Sequence, residues 1–355
     1  MMKSKERVLT ALARQQPDRV PVNYLANPGI DRRLKDHYGL TADDTEGLRK
    51  ILGVDFREVE SPYVGPALHE NIPGRRIDMF GIRRRWVEHE SGGYWDYCDF
   101  PLRYADEEII DGWRMPSPDN FDYDLLLNSC GKFREYGVFY GNPGLGDIIN
   151  SAGMIRTMEQ VLVDLVTDDP AGLKLIDRRL DVQLEVMSRS LEKAKGLIDF
   201  VWLGEDLGTQ RGPTIGLGLY RKHIRPRHQK FVDLAKSYGL PVIIHSCGSS
   251  SWAFEDFIEM GIDAVDTLQP EAKDMSPDYL KKRFGGRLAF HGCISTAGPV
   301  AYGTVTETVE YAKKTLEIMM PGGGYCIAPT HDLQDNSPTE NVLALYETAK
   351  AFGVY

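Results

Sequence analysis

His245 and Cys247 stand two residues apart at the end of the apolar run Pro241–Ile244, and Gly248 follows directly. In extended chain, residues two apart project from one face with Cα atoms roughly 7 Å apart, so an imidazole and a thiolate there can converge on one ion. Zinc suits such a pair: it takes thiolate sulfur at about 2.3 Å and imidazole nitrogen at about 2.0 Å, and a catalytic zinc keeps one position open beside about three protein ligands. The third ligand must come from another segment. His331, at the end of the run Tyr325–Ala328, is the first candidate, and Glu205 or Asp206 offers a further oxygen, with strand alternation deciding which of the two faces inward. The same pair also fits a small buried thiol beside a rim histidine held by hydrogen bonds, and the residue types alone leave both readings open. Cys293 sits where a strand ends and Cys326 where one begins, so packing is the better reading of both, with Cys293 as an alternate ligand.

These groups need elements to position them. From about residue 197 onward, short apolar runs alternate with segments of helical period: 200–204, 241–245, 264–268, 288–291 and 325–328, each followed by a helix. That alternation predicts repeated βα units and a parallel sheet, whose strands are apolar because both faces are covered. The first half adds three candidate strands, 19–24, 54–59 and 137–140, which makes eight. Between the second and third of these, residues 79–102 alternate apolar and polar around Glu90-Ser91-Gly92-Gly93 and predict an inserted β-hairpin. The expectation is a single domain over residues 1–355, an α/β fold of the (β/α)8 TIM-barrel type. In such barrels reactive groups sit where strands run into the following loops. Five successive strand ends are polar here: Gly204-Glu205-Asp206, His245-Ser246-Cys247, Gln269-Pro270, His291-Gly292-Cys293 and Thr330-His331-Asp332.

Composition removes other classes. A net charge of −10 with basic residues scattered among acids argues against a nucleic-acid partner. No run approaches the roughly 18 apolar residues that cross a bilayer, and the opening Met1-Met2-Lys3-Ser4-Lys5 has no apolar stretch of a secretory signal, so a cytoplasmic protein is expected. Five cysteines, an odd number at scattered positions, make no disulfide framework. Arg83-Arg84-Arg85 fits the edge of a hairpin better than a clamp for an anionic substrate. Gly322-Gly323-Gly324 precedes a strand, whereas a phosphate loop follows one, so it is a turn.

The segments Gly204-Glu205-Asp206-Leu207-Gly208-Thr209-Gln210, Val242-Ile243-Ile244-His245-Ser246-Cys247-Gly248 and Gly323-Gly324-Tyr325 through His331 resemble the uroporphyrinogen decarboxylase superfamily, as does the closing Pro338-Thr339-Glu340-Asn341-Val342. The resemblance runs from Lys5 onward and itself implies a TIM barrel. True decarboxylases of this superfamily are metal-free and hold the porphyrinogen's acidic side chains with arginines just after the first strand. Here that stretch is Tyr24-Leu25-Ala26-Asn27-Pro28-Gly29-Ile30, without arginine. The other branch, the corrinoid-dependent methyltransferases, binds zinc through a His-x-Cys pair and a later cysteine. The pair is kept as His245 and Cys247, and His331 stands in the place of that cysteine. The resemblance therefore implies methyl transfer between a small substrate and a corrinoid protein or thiol acceptor, with a metal-free lyase as the alternative. In that picture Glu205 or Asp206 handles a proton, Gln269 and His291 orient the substrate, and Tyr24, Tyr63, Trp86 and Tyr140 supply apolar walls or plain core. No Asp-x-His-x-x-Gly corrinoid segment is present, so the corrinoid would come on a partner protein. A homodimer is expected from the superfamily.

Overall fold

The computed structural model describes residues 2–89 and 92–355. Seven strands form one parallel sheet: β1 (Phe56–Val59), β5 (Gly137–Tyr140), β6 (Phe200–Gly204), β7 (Val242–Ser246), β8 (Ala264–Thr267), β9 (Ala289–Ile294) and β10 (Tyr325–Pro329), neighbouring one another in that order. Between β1 and β5 the chain makes a separate antiparallel sheet of β2 (Arg76–Ile77), β3 (Arg83–His89) and β4 (Gly92–Cys98). Its pairing runs from Arg83 opposite Cys98 to His89 opposite Gly92, while the expected turn residues Glu90 and Ser91 lie outside the described residues. The Arg83-Arg84-Arg85 run is part of this small sheet, with Arg84 bonded to Asp78 at 3.0 Å.

The first expected strand, residues 19–24, is not a regular strand. It joins β10 through a single parallel bridge, Val22 to Ile327, and three backbone bonds place it between the two ends of the main sheet. The Asn23 amide donates to the Ile327 carbonyl, the Ile327 amide to Pro21, and the Asp55 amide to Val22. Pro21 explains the irregularity, since it brings no amide hydrogen to a ladder. What pins the segment is a buried charge cluster. Asp55, with no exposed surface, accepts from Arg7 at 2.7 Å, from Arg19 at 2.8 Å and from the Val22 amide at 2.9 Å.

Two cores follow from the sheet's two faces. Inside lie Phe56, Phe139, Phe200, Trp202, Ile243, Ala264, Ala289 and Cys326, one or two from each strand, with Val8, Ala11 and Leu12 closing the N-terminal end of the strands. Those last three lie on the helix Ser4–Leu12. The larger core lies between the sheet and its surrounding helices. Cys326 is thus packing, as its place at a strand start suggested, and Cys293 is fully buried as well.

Candidate active site

The strand register places the site. Gly204 pairs with His245, His245 with Asp266, Asp266 with His291, and His291 with Cys326, so these five residues make one row across β6 to β10. Residues of a row in a parallel sheet share a face. Cys326 belongs to the interior core, hence the row points inward. Alternation then separates the neighbouring acids: Gly204 is inward, so Asp206 faces in and Glu205 faces out.

The side chains conform to that rule. Asp206 Oδ1 lies 3.6 Å from His245 Nε2 and accepts from the Cys247 amide at 2.9 Å, while Asn150 holds its other oxygen at 2.8 Å. Glu205 is instead buried behind the sheet, accepting from the amides of Ile148 and Ile149 at 2.9 and 3.1 Å. Burial, opposed by those two bonds, pushes its carboxyl up to about 8. Of the two acids proposed for proton handling, only Asp206 lies beside His245.

His245 is 12% exposed and makes two kinds of contact. Nδ1 meets Asp266 Oδ2 at 2.6 Å and the Thr267 hydroxyl at 3.0 Å, while Nε2 lies 3.3 Å from Cys247 Sγ. Donating the Nδ1 hydrogen to the buried carboxylate leaves Nε2 as a lone-pair donor aimed at the sulfur and at Asp206. Carboxylates behind metal-binding histidines do this widely, fixing tautomer and ring orientation. Burial disfavours a charged His245 ring, yet its bonds to Asp266 and Cys247 outweigh that and raise its pKa well above the ordinary value. Burial pushes the Cys247 thiol up, with His245 opposing. The pocket therefore favours a positive charge between imidazole, sulfur and carboxylate. Among the described residues, Asp206, His245 and Cys247 form the one group of three or more such donors, their ligating atoms all within 4.8 Å of one another. Nitrogen, sulfur and oxygen in that number suit zinc.

The other expected site residues fall elsewhere. His331 is exposed on the loop after β10; it lines the same cavity as His245 but is not in the donor group. Gln269 accepts from the Gly248 amide at 2.7 Å, so it holds the loop carrying Cys247. That loop is tight: Gly248 has φ 68°, and a Cβ on it would stand 2.3 Å from the Gly208 carbonyl oxygen. His291 is fully buried with both ring nitrogens occupied, Nδ1 by Asp266 Oδ1 at 2.6 Å and Nε2 by the side-chain Nδ2 of Asn23 at 3.1 Å. It positions Asp266 and has no nitrogen left for a substrate. Tyr24 and Tyr140 are buried, Trp86 is exposed, and Tyr63 packs on Phe121; none lines the mouth.

The mouth is a cavity of about 230 Å³ whose apolar wall is Leu25, Phe139, Pro143 and Trp202, with Glu58, Asn142, Asp266, Thr330 and Asp332 among its polar lining. Asp266, which sequence reasoning passed over, is the centre of the site. The signal was available, because a carboxylate inside the apolar strand Ala264–Thr267 must be paired when buried. Thr267 marks the same point: a β-branched residue at φ 86°, turned so that its hydroxyl meets His245. Gly292, whose Cβ would stand 2.2 Å from the Thr267 carbonyl oxygen, makes room for that turn. Strain of this kind concentrates at functional sites.

A curled parallel α/β sheet with a polar, partly closed mouth at the C-terminal strand ends defines a barrel-like enzyme scaffold. The chain belongs to the uroporphyrinogen decarboxylase (URO-D) family, whose profile matches residues 151–352. Among solved structures, a methyltransferase from Methanosarcina mazei shares the fold with TM-score 0.66 at 18% identity, over 99% of each chain. Among curated proteins none matches. No helix of the described residues is long and apolar enough to cross a membrane.

Proposed function

We propose that this protein is a zinc-dependent methyltransferase that moves a methyl group between a small substrate and a corrinoid protein or thiol acceptor. One observation carries the reading: His245 Nε2, Cys247 Sγ and an Asp206 oxygen converge within 4.8 Å, with the other nitrogen of His245 held by Asp266. Those three residues would hold the metal, and His331 stands at the same cavity where the sequence pattern expected a ligand. Bound zinc supplies Lewis acidity toward a methylated heteroatom or an accepting thiolate. The chain's own residues do the rest. Asp266 and Thr267 keep the His245 ring oriented, Gln269 keeps the Cys247 loop in place, and Phe139 and Trp202 present an apolar wall to the methyl-bearing group. The fold shared with a methyltransferase agrees with the assignment. We further propose a single barrel domain closed by residues 19–24, a cytoplasmic location, a corrinoid-bearing partner on a separate chain, and a homodimer.

The second reading, metal-free decarboxylation of a carboxylated ring compound, draws on the family match. Uroporphyrinogen itself is a poor candidate for the mouth. Among the described residues no arginine or lysine lines that cavity, and the one adjoining it offers only Arg179 and Arg84, the latter already paired with Asp78. Elemental analysis separates the readings. Methyl transfer expects about one zinc per chain, lost in Cys247→Ala and His245→Ala. Full activity after exhaustive chelation, or zinc retained in both variants, refutes it.

A further inference from the structure

The helix Pro170–Lys193 delivers Arg179 to a second cavity, of about 370 Å³, that adjoins the mouth, because Glu58 and Asn142 line both. Arg179 is only 7% exposed. Its Nε and Nη1 are buried without a hydrogen-bond partner, and among the described residues it makes no ion pair. The guanidinium lies 4.3 Å from the centroid of the Phe80 ring. Asp78 and Asp147 reach it through charge alone: Asp78 is bonded to Arg84 and the amides of Phe80 and Ile82, and Asp147 to the Ser151 amide through Oδ2, its Oδ1 being buried without a hydrogen-bond partner as well. The other buried arginines, Arg7, Arg57 and Arg156, each sit on a carboxylate at 2.7 or 2.8 Å. A buried cation with no carboxylate in hydrogen-bond contact is costly, and of the four Arg179 alone is in that position.

We infer that Arg179 anchors a subsite for the carboxylate of a small organic substrate whose far end reaches the His245 cluster. This deepens the methyl-transfer reading by assigning chemistry to the substrate's other end. A planar guanidinium matches a carboxylate through two parallel hydrogen bonds. A phosphate dianion fits less well, since Glu58, Glu60 and Asp78 line the same cavity and Arg84 is already spent on Asp78. Phe121, Tyr140, Met154 and Val186 give the subsite walls for an apolar body.

The test is calorimetric titration of benzoate, phenylacetate and hexanoate, with their neutral amides and inorganic phosphate as probes, against metal-free protein. Measuring without zinc, and in Cys247→Ala, keeps this result separate from the fate of the metal reading. At least one acid should bind saturably at millimolar concentration, its amide should not, and binding should weaken at least about tenfold in Arg179→Met and Arg179→Lys while persisting in Cys247→Ala. The unliganded Arg179→Met protein should also melt at a higher temperature than wild type, because an unpaired buried charge has been removed. Absence of binding by all three acids, equal binding of acid and amide, preference for phosphate, or unchanged binding in the Arg179 variants overturns the inference. A lower melting point or failure to fold in Arg179→Met would mark a structural guanidinium and overturn it as well.

Discussion

Replacing Asp266 by asparagine changes one oxygen to an amino group and nothing else in shape, yet it should loosen the proposed zinc site. In the native site Oδ2 faces His245 Nδ1 and Oδ1 faces His291 Nδ1, both at 2.6 Å. An asparagine amide has one acceptor end, so its NH2 must confront one of the two ring N–H groups, and that ring must move its proton to Nε2. If His245 yields, a proton occupies the lone pair aimed at Cys247 Sγ 3.3 Å away and the ring ceases to be a ligand. If His291 yields, its Nε2–H confronts the Asn23 amide at 3.1 Å. Turning Asn23 over then breaks the bond its Oδ1 accepts from the Tyr24 amide at 2.9 Å. The first route costs the ligand lone pair, the second a buried hydrogen bond. The affinity for zinc should therefore fall by about 10–100-fold, as for lost carboxylates behind metal-bound histidines, or ~1.4–2.7 kcal/mol. Competition with a chromophoric zinc chelator at neutral pH measures this directly, after circular dichroism has established that the variant folds. An Asp266→Asn protein that folds and holds zinc within about twofold of wild type would refute the role assigned to Asp266.

Two further perturbations address the scaffold. Asp55→Ala removes the buried acceptor shared by Arg7, Arg19 and the Val22 amide and leaves Arg7 with Asp18 alone; urea unfolding should show a loss of about 2–4 kcal/mol, and a loss below about 1 kcal/mol would mean the cluster does not pin residues 19–22. Asp147 tests pH dependence: burial, then the charge of Glu205, pushes its carboxyl up to about 8. An acid raised in the folded state contributes stability that is fully present below its unfolded pKa, near 3.8, and lost as pH rises through about 8. Wild type should thus melt at progressively lower temperature across that window relative to Asp147→Asn, and parallel melting curves at every pH would contradict the assignment.

The βα alternation after residue 197 was legible because strands covered on both faces must be apolar throughout, and β6 to β10 are buried along nearly their whole length. The segment 19–24 was visible as an apolar run, but its reduction to isolated bridges depends on Pro21 and on the long-range Asp55 cluster, neither of which periodicity registers. At the site, His245 and Cys247 announced themselves through spacing on one strand. Asp206 over Glu205 was decidable only with the row register, since alternation says which residues share a face but not which face is inside. His291 misled because an imidazole at a strand end looks available, and only tertiary packing reveals that Asp266 and Asn23 occupy both of its nitrogens.

The same register explains why the site is organised around a buried carboxylate. A row that carries His245, Asp266 and His291 on three adjacent strands gives the central acid one oxygen for each flanking ring, so both rings are oriented by one charge. His291 is then locked from the far side by Asn23, on the segment that lies beside β10. Orientation of the His245 lone pair is consequently tied to residues 19–24, through Asn23, His291 and Asp266 in turn. Loosening residues 19–24, as Asp55→Ala should, would slacken that chain of contacts from its outer end. The metal affinity of Asp55→Ala, measured under conditions where the variant remains folded, should accordingly fall together with its stability, whereas a scaffold lesion unconnected to this row would leave the affinity unchanged.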